Sequence, residues 1–373
     1  MTTNSLGNRL EVHVLNAGRA EGESIVVRTP ENTWGVIDCY ARQLGDRNTN
    51  ATLSFLRERN VGRLEFLCLT HPHEDHFRGM SHILEEIPVR FFWRFAGMSK
   101  EKLKFLVYYA KMSAEKTGEQ GEVENADELH QIFTLLAKLR RRCKGPLKFK
   151  HAVLGQQLYP VPVDQNAHFQ VWAMAPSGSA TELYEDGIMR CFDGDRLKEE
   201  LPRSHHNLVS IGLLIIFRRT RIILGGDVER SGWADVVEEF GADKLVAHAV
   251  KVSHHGSSGA FDETVWRHHA ADGKPLAIVT PFERFGLPEK NVMERIEAHA
   301  SDVLITHYAP YVRAHGCSLE TVAAIWDEFG ARTASAAGDF GRCTLVFDGE
   351  GKCENPVLVA PAMKWADRSR LLR

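Results

Sequence analysis

His71-Pro72-His73-Glu74-Asp75-His76 is the stretch whose reading decides the fold. Upstream, Leu64-Glu65-Phe66-Leu67-Cys68-Leu69-Thr70 is an apolar run of strand length. Downstream, Met80–Ile87 has helical spacing, so the six residues form a strand-to-helix loop. Three histidines and Asp75 among them are the metal-ligand types the reading uses. Alternate residues of an extended segment point the same way, so His71 and His73 can meet one ion. Asp75 and His76, where the chain turns into the helix, can reach a second. Pro72 stiffens the loop and donates no backbone hydrogen bond.

Two further blocks supply the same chemistry. His205-His206-Asn207-Leu208-Val209-Ser210 opens an apolar hairpin whose second arm ends on Gly225-Gly226-Asp227. Glycines there let the backbone come close to a bound group. Asp227 either N-caps a helix predicted through Trp233–Phe240 or joins the metals. The nearby histidines favour the second reading, because a carboxylate between two cations offsets their repulsion. The third block, Lys251-Val252-Ser253-His254-His255-Gly256-Ser257, closes a strand predicted over Leu245–Val252. Neighbours on a strand face opposite ways, so one histidine of the pair is expected as ligand. His254 takes that role, with His255 behind it or facing substrate. The ligands these blocks supply are His71, His73, Asp75, His76, Asp227 and His254; the metallo-β-lactamase superfamily, which the blocks resemble, carries a further histidine between the first block and the bridging aspartate, which implies His206 as a seventh. Within His205-His206, either residue or neither is the ligand. Asp75 would orient an attacking water and receive its proton, and His255, His206 or Lys251 would stabilise developing charge or protonate the leaving oxygen. Imidazole and carboxylate ligands without cysteine suit zinc, and also manganese or iron. Two such cations lower the pKa of a shared water from about 15.7 toward 7.

Together these blocks resemble the metallo-β-lactamase superfamily, whose HxHxDH signature is matched at His71–His76. They are similar in particular to stand-alone relatives of the hydrolase-like domain of bacterial competence (DNA-uptake) proteins. That resemblance lies in HxHxDH, Asn207 with Ser210, Gly226-Asp227 and Lys251–Ser257. Where relatives carry Gly-His-Pro, this chain has Gly286-Leu287-Pro288, one polar group fewer. The resemblance covers roughly residues 10–95 and 145–310. It implies an α/β fold, a four-layer αββα sandwich with the metal site at one edge between two β-sheets. It also implies two divalent metal ions, zinc first, and cleavage of a phosphodiester by a nuclease or phosphodiesterase. A carboxylic-bond hydrolase acting on a lactone, thioester or other ester uses the same metals, and a non-catalytic module held together by metal is a third reading. Asp38, ending an early strand, resembles the family's acidic support for the metal loop, or else caps the turn into Ala51–Arg59.

The composition of the whole 373-residue chain fits a soluble protein with a sizeable core, at 43% hydrophobic and 25% charged. A net charge of -3 argues against a broadly basic nucleic-acid surface while leaving a local groove open. The seven cysteines are odd in number and form no CxxC pair, which suits reduced thiols. With no signal-peptide pattern and no run approaching about 18 apolar residues, the expected location is cytoplasmic, away from membranes. Residues 1–98 and 145–317 are read as two halves of one domain, 99–144 as a helical insertion and 318–373 as a C-terminal extension. In the insertion, helices are predicted over Glu101–Lys116 and Asn125–Arg142 with a polar linker between them. Its basic run, Lys138 to Lys144, reads as a solvated helix end. Ser177 to Ser204 shows no strong periodicity and is expected as a surface loop or small insertion. A helix is predicted at Leu319–Phe329.

Overall fold

Apolar alternation builds the sheets. In the strand Thr220–Leu224, Ile222 and Leu224 face one hydrophobic cluster while Ile223 faces another. That is the period-two pattern of a strand buried on both sides. The computed structural model describes residues 9–16, 20–95, 100–142, 145–194, 196–241, 245–267, 273–307, 340–359 and 362–365.

The first sheet begins with β1 (Leu10–Leu15), β2 (Ser24–Arg28), β3 (Trp34–Ile37), β4 (Leu64–Leu69), β5 (Val89–Phe95) and β6 (Lys148–Ala152). The second is built from β7 (Gln157–Tyr159) and β8 (Phe169–Ala173), then, after a small hairpin of β9 (Phe192–Asp193) and β10 (Arg196–Leu197), from β11 (Leu213–Phe217), β12 (Thr220–Leu224), β13 (Ala249–Lys251), β14 (Leu276–Val279) and β15 (Asp302–Ile305). Late in the chain, β16 (Arg342–Phe347) and β17 (Val357–Val359) return to the first sheet beside β1, and β18 (Met363–Lys364) joins β15. Among the described residues each sheet has eight strands and the same plan: an antiparallel meander, then parallel strands. In the first, β3, β4, β5 and β6 run parallel. In the second, β12, β13, β14 and β15 do.

The inner faces of both sheets share one core. Val12, Val14 and Phe66 belong to the same cluster as Leu213, Ile215 and Phe217. Helices cover the outer faces. On the first sheet lie α1 (Ala51–Glu58), the short α2 (Glu74–Phe77) and α3 (Met80–Glu86). The long α4 (Lys100–Thr117) and α5 (Gln120–Arg140) form a hairpin, followed by α6 (Gly178–Arg190). On the second sheet, α7 (Arg230–Phe240), α8 (Glu263–Arg267) and α9 (Lys290–His299) bury Trp233, Val236, Trp266, Met293 and Ile296 against Ile223, Val250 and Val303. The layers run helix, sheet, sheet, helix, the expected αββα sandwich.

Several local expectations change. The linker between the two long helices shrinks to Gly118-Glu119, because α5 starts at Gln120. The segment after Ser177 is not a loop: the Ser177 side chain caps α6 by accepting from the Ala180 N–H at 3.2 Å, and Thr181, Tyr184 and Ile188 are buried along one face. Asp227 does not cap α7, which begins three residues later behind Glu229. The helix predicted at Leu319–Phe329 lies outside the described residues. Among the described residues, no helix is long and apolar enough to cross a membrane.

The α4–α5 hairpin is docked beside the metal loop by buried polar contacts. Glu128 accepts from the Ser81 N–H at 3.0 Å and from its hydroxyl at 2.8 Å, satisfying an otherwise free donor at the start of α3. Arg78 bonds Asn125 and the carbonyl of Ala41.

Candidate metal centre

The chemistry gathers at the carboxyl ends of the parallel strands, where open α/β sheets place their ligands. Asp38 follows β3, the loop from His71 follows β4, Asp227 follows β12, the histidine pair follows β13 and Thr280 follows β14. Among the described residues three clusters of ligand-type side chains result; Glu23, Asp38 and His76 form one, in which His76 Nδ1 is already bonded to Asp38, and the other two are donor groups that share Asp227. Asp75, His76, Asp227 and His255 form one, and His71, His73 and Asp227 form the other. All are buried except His73, which is half-buried.

Asp227 lies between the two groups, and its oxygens divide them. Oδ1 is 3.4 Å from His76 Nε2 and 3.8 Å from His255 Nε2. Oδ2 is 3.6 Å from His71 Nε2 and 3.8 Å from His254 Nε2. Its position depends on the two preceding glycines. A Cβ on Gly225 would lie 2.2 Å from Ser253 Oγ, and one on Gly226, at φ +51°, would lie 2.7 Å from the Ile211 carbonyl oxygen. Ser210 Oγ accepts from the Asp227 N–H at 2.8 Å and lies 3.4 Å from His71 Nδ1.

Each inward-facing imidazole is steered by an oxygen on its other nitrogen. His76 Nδ1 donates to Asp38 Oδ2 at 2.7 Å, and His255 Nδ1 donates to the Thr280 carbonyl at 2.9 Å. His71 Nδ1 pairs with Thr70 Oγ1 at 3.0 Å, and His73 Nε2 donates to the Arg203 carbonyl at 2.9 Å. These partners fix each ring with one nitrogen outward and the other facing in, the arrangement that prepares histidine for a metal once the inward protons that the carboxylates hold on His76 and His255 are displaced. His71 Nε2 and His73 Nδ1 then face each other at 3.0 Å, and His255 Nε2 sits 2.9 Å from Asp75 Oδ2. Two ligand atoms each about 2.0 Å from one tetrahedral ion stand about 3.3 Å apart, so these spacings fit cations. Among the described residues, His76 Nε2 and Asp227 Oδ1 are buried without any hydrogen-bond partner, as atoms reserved for a metal would be.

Electrostatics agree. Burial alone would raise Asp75 and Asp227, yet His76 and His255 hold both well below the usual carboxylate range. Burial alone would lower His76, but Asp75, Asp227 and Asp38 raise it well above the ordinary histidine value. His255 is likewise raised, by Asp227 and Asp75 against burial. Burial dominates at His71 and His73, which are both lowered.

Asp38 is the support for the metal loop and not a helix cap. Its carboxylate takes the Thr70 N–H at 2.8 Å, the Thr70 hydroxyl at 2.6 Å and His76, while Asn50 caps α1.

The histidine pair departs from strand alternation. β13 ends at Lys251, and both His254 (φ +46°) and His255 (φ +53°) adopt left-handed backbone. The chain bends between them, so both rings reach Asp227 from different sides. His255 is fully buried in a donor group, whereas His254 is 23% exposed and its Nδ1 lies 3.6 Å from Glu229 Oε1.

His205 and His206 also separate. His205 packs against α6, where a Cβ on Gly187 would lie 2.2 Å from its Nε2. His206 turns toward the loop, its ring 5.2 Å from that of His73, with Nδ1 2.8 Å from the Tyr184 hydroxyl. It belongs to neither donor group. Instead it lines a cleft of about 350 Å³ beside His73 and Glu74, walled by α4 and α5.

Lys251 corrects another expectation. Its side chain is fully buried and its ammonium pairs with Glu23, so it does not reach a substrate. Glu23, absent from the sequence reading, is 1% exposed. Its carboxylate also accepts from Thr280 Oγ1 at 2.8 Å, and its N–H holds the Asp75 carbonyl at 2.9 Å. Glu23 and Lys251 therefore support both sides of one donor group, behind His255 and behind Asp75. Nothing in the local sequence distinguishes Glu23 from a loop glutamate.

No protein-family model and no curated protein matches this chain. Among solved structures it is similar to CmlA, a diiron β-hydroxylase from Streptomyces venezuelae (13% identity, TM-score 0.31, covering 65% of this chain and 34% of that one). The chain thus spans about a third of that protein's length. It is similar to zinc-bound PqqB from Methylobacterium extorquens (12%, TM-score 0.37, 80% and 98%). It is also similar to a motif mutant of a metallo-β-lactamase from Cronobacter sakazakii (11%, TM-score 0.30, 64% and 75%). At this distance the chemistry of the centre rests on its own side chains.

Proposed function

We propose that this protein is a metal-dependent hydrolase that cleaves a phosphodiester. The observation that carries the reading is the pair of adjoining donor groups sharing Asp227, with steered imidazoles and buried, unpartnered His76 Nε2 and Asp227 Oδ1. His71, His73 and Asp227 would hold one cation; Asp75, His76, His255 and Asp227 would hold the other. Zinc suits this donor set first, with manganese and iron as alternatives. Bound cations supply a Lewis acid and an activated water. The phosphodiester class comes from the motif resemblance to competence-protein relatives.

The side chains then divide the work. Asp75, 3% exposed and held by His255 Nε2, keeps a carboxylate ready to take a proton at Oδ2. Burial lowers His206 well below the ordinary value, so it acts as a neutral ring. With the Tyr184 hydroxyl donating to Nδ1, the ring presents its Nε2 N–H to the cleft and can bond a developing oxyanion. Lys251 and Glu23 position His255 and Asp75 and touch no reacting atom.

Metal content tests the ligand assignment. Protein loaded with zinc should carry about two ions per chain. His255→Ala should retain about one, and His254→Ala about two, the opposite of what strand alternation predicts. Elemental analysis of the three purified proteins decides it, and equal loss in both variants would place His254 among the ligands. Metal must displace the protons that the carboxylates hold on His76 and His255, so occupancy should fall as pH is lowered.

The reaction is tested with bis-p-nitrophenyl phosphate against a panel of lactones and thioesters. Turnover of the diester, metal-dependent and well above the esters, is the expected result. Preference for a lactone or thioester would move the protein to the carboxylic-bond class.

A further inference from the structure

The mouth of the cleft carries two arginines with no part in the chemistry above. Arg203 lies in the turn before β11 and Arg284 in the turn after β14. Both guanidiniums donate to the same atom, Oε1 of Glu74, at 3.1 and 3.0 Å. Arg203 also bonds Glu122 Oε1 at 2.6 Å, and Arg284 stands 4.0 Å from that oxygen. Each guanidinium carbon lies 5.7 Å from the centre of the Phe285 ring, which keeps the pair together.

Two features fix what this cluster can do. Glu74 belongs to the metal loop, and the Arg203 carbonyl holds His73, so the guanidiniums are anchored beside the donor groups. Glu122 instead belongs to α5, the far wall of the cleft. The arginine side chains are 47% and 48% exposed, and ion pairs this open to water exchange partners readily. A planar guanidinium fork accepts phosphate oxygens as well as a carboxylate. With both glutamates the cluster is neutral; once Glu122 leaves, it carries one net positive charge. Beyond it the cleft is not cationic, since Glu119 and Glu200 line it and Lys116, 3.4 Å from Glu200, is paired.

We infer that Arg203 and Arg284 clamp an anionic group of the substrate remote from the scissile bond, and that Glu122 fills the clamp until substrate arrives. Resting on the phosphodiesterase reading, this narrows the substrate to a phosphodiester carrying one further phosphate, a nucleotide-sized molecule and not a long strand.

The test compares thymidine 5′-(p-nitrophenyl phosphate) with and without a 3′-phosphate, on the metal-loaded full chain. The 3′-phosphate should lower KM by about tenfold or more, the scale of a charge-assisted hydrogen bond. Arg203→Gln and Arg284→Gln should bring the ratio of the two KM values toward one. Arg284→Lys should keep part of it, and Glu122→Gln should enlarge it. A 3′-succinyl ester giving the same advantage as the phosphate would overturn the phosphate assignment. A second readout needs no turnover: calorimetric binding of thymidine 3′,5′-bisphosphate to the metal-free protein should weaken about tenfold in Arg203→Gln. Turnover of both esters with equal KM, and bisphosphate binding indifferent to Arg203, would overturn the clamp. No turnover of either ester, with binding still dependent on Arg203, would overturn the phosphodiesterase reading and leave the clamp standing.

Discussion

Asp75→Asn should lose about 10³-fold or more in kcat/KM on a phosphodiester, a loss of about 4 kcal/mol at 1.36 kcal/mol per tenfold. The substitution keeps the volume of the side chain and removes its charge. Three consequences follow from the contacts. Oδ2 no longer offers a carboxylate to His255 at 2.9 Å or to His76 at 3.3 Å, so one donor group loses its anionic member. The group that takes a proton is gone. The Asp75 carbonyl, which holds the Glu23 N–H, is untouched, so the loop stays in place. The fold should therefore survive, and stability should fall chiefly by the lost linkage to metal binding. Steady-state kinetics at saturating metal, with circular dichroism as a control for folding, measure this. Activity within tenfold of the unsubstituted protein would remove Asp75 from the mechanism.

The metal loop was legible because its chemistry is local. Three histidines and an aspartate within six residues, between a buried-type strand and a helix, leave few structures that satisfy them. Asp227 was legible for a related reason: two glycines beside a carboxylate at a strand end are needed only where backbone comes close, and the Cβ distances at Gly225 and Gly226 show that it does. The sandwich of two sheets followed from the resemblance that the motif blocks carry, whereas the parallel pairing of β3 to β6 and of β12 to β15 was not read from the sequence.

What escaped was set by contacts between distant segments. The placement of His254 and His255 turned on backbone dihedrals that strand periodicity does not encode. β13 is short, and consecutive left-handed residues send the rings to opposite oxygens of one aspartate. The α6 helix was hidden because its buried face, Thr181, Tyr184 and Ile188, is narrow and its remaining residues are mostly polar. Glu23 and Thr280 support the site across more than 250 residues of sequence, and neither carries a local pattern. Arg203 and Arg284 converge on Glu74 from separate turns, which no single stretch reveals.

Lys251→Met should destabilise the protein by about 3–5 kcal/mol, the usual result of removing one partner of a buried ion pair. Lys251 is fully buried, and Glu23, 1% exposed, would keep Thr280 Oγ1 as a remaining donor at 2.8 Å. That single hydrogen bond does not offset a carboxylate left without its cation. Adding Glu23→Gln should recover much of the loss, because a neutral amide beside the introduced thioether no longer strands a charge. Urea unfolding of the metal-free proteins, read at constant m-value, measures both effects. The same experiment separates two roles for Lys251. A residue that contacts substrate would lower turnover on replacement and leave the unfolding midpoint in place. A residue that holds Glu23, and through Glu23 and Thr280 the ring of His255, lowers the midpoint first and metal occupancy with it. A Lys251→Met protein within about 1 kcal/mol of the unsubstituted chain, yet inactive, would return the lysine to the catalytic group, since even one lost charged hydrogen bond contributes more than that.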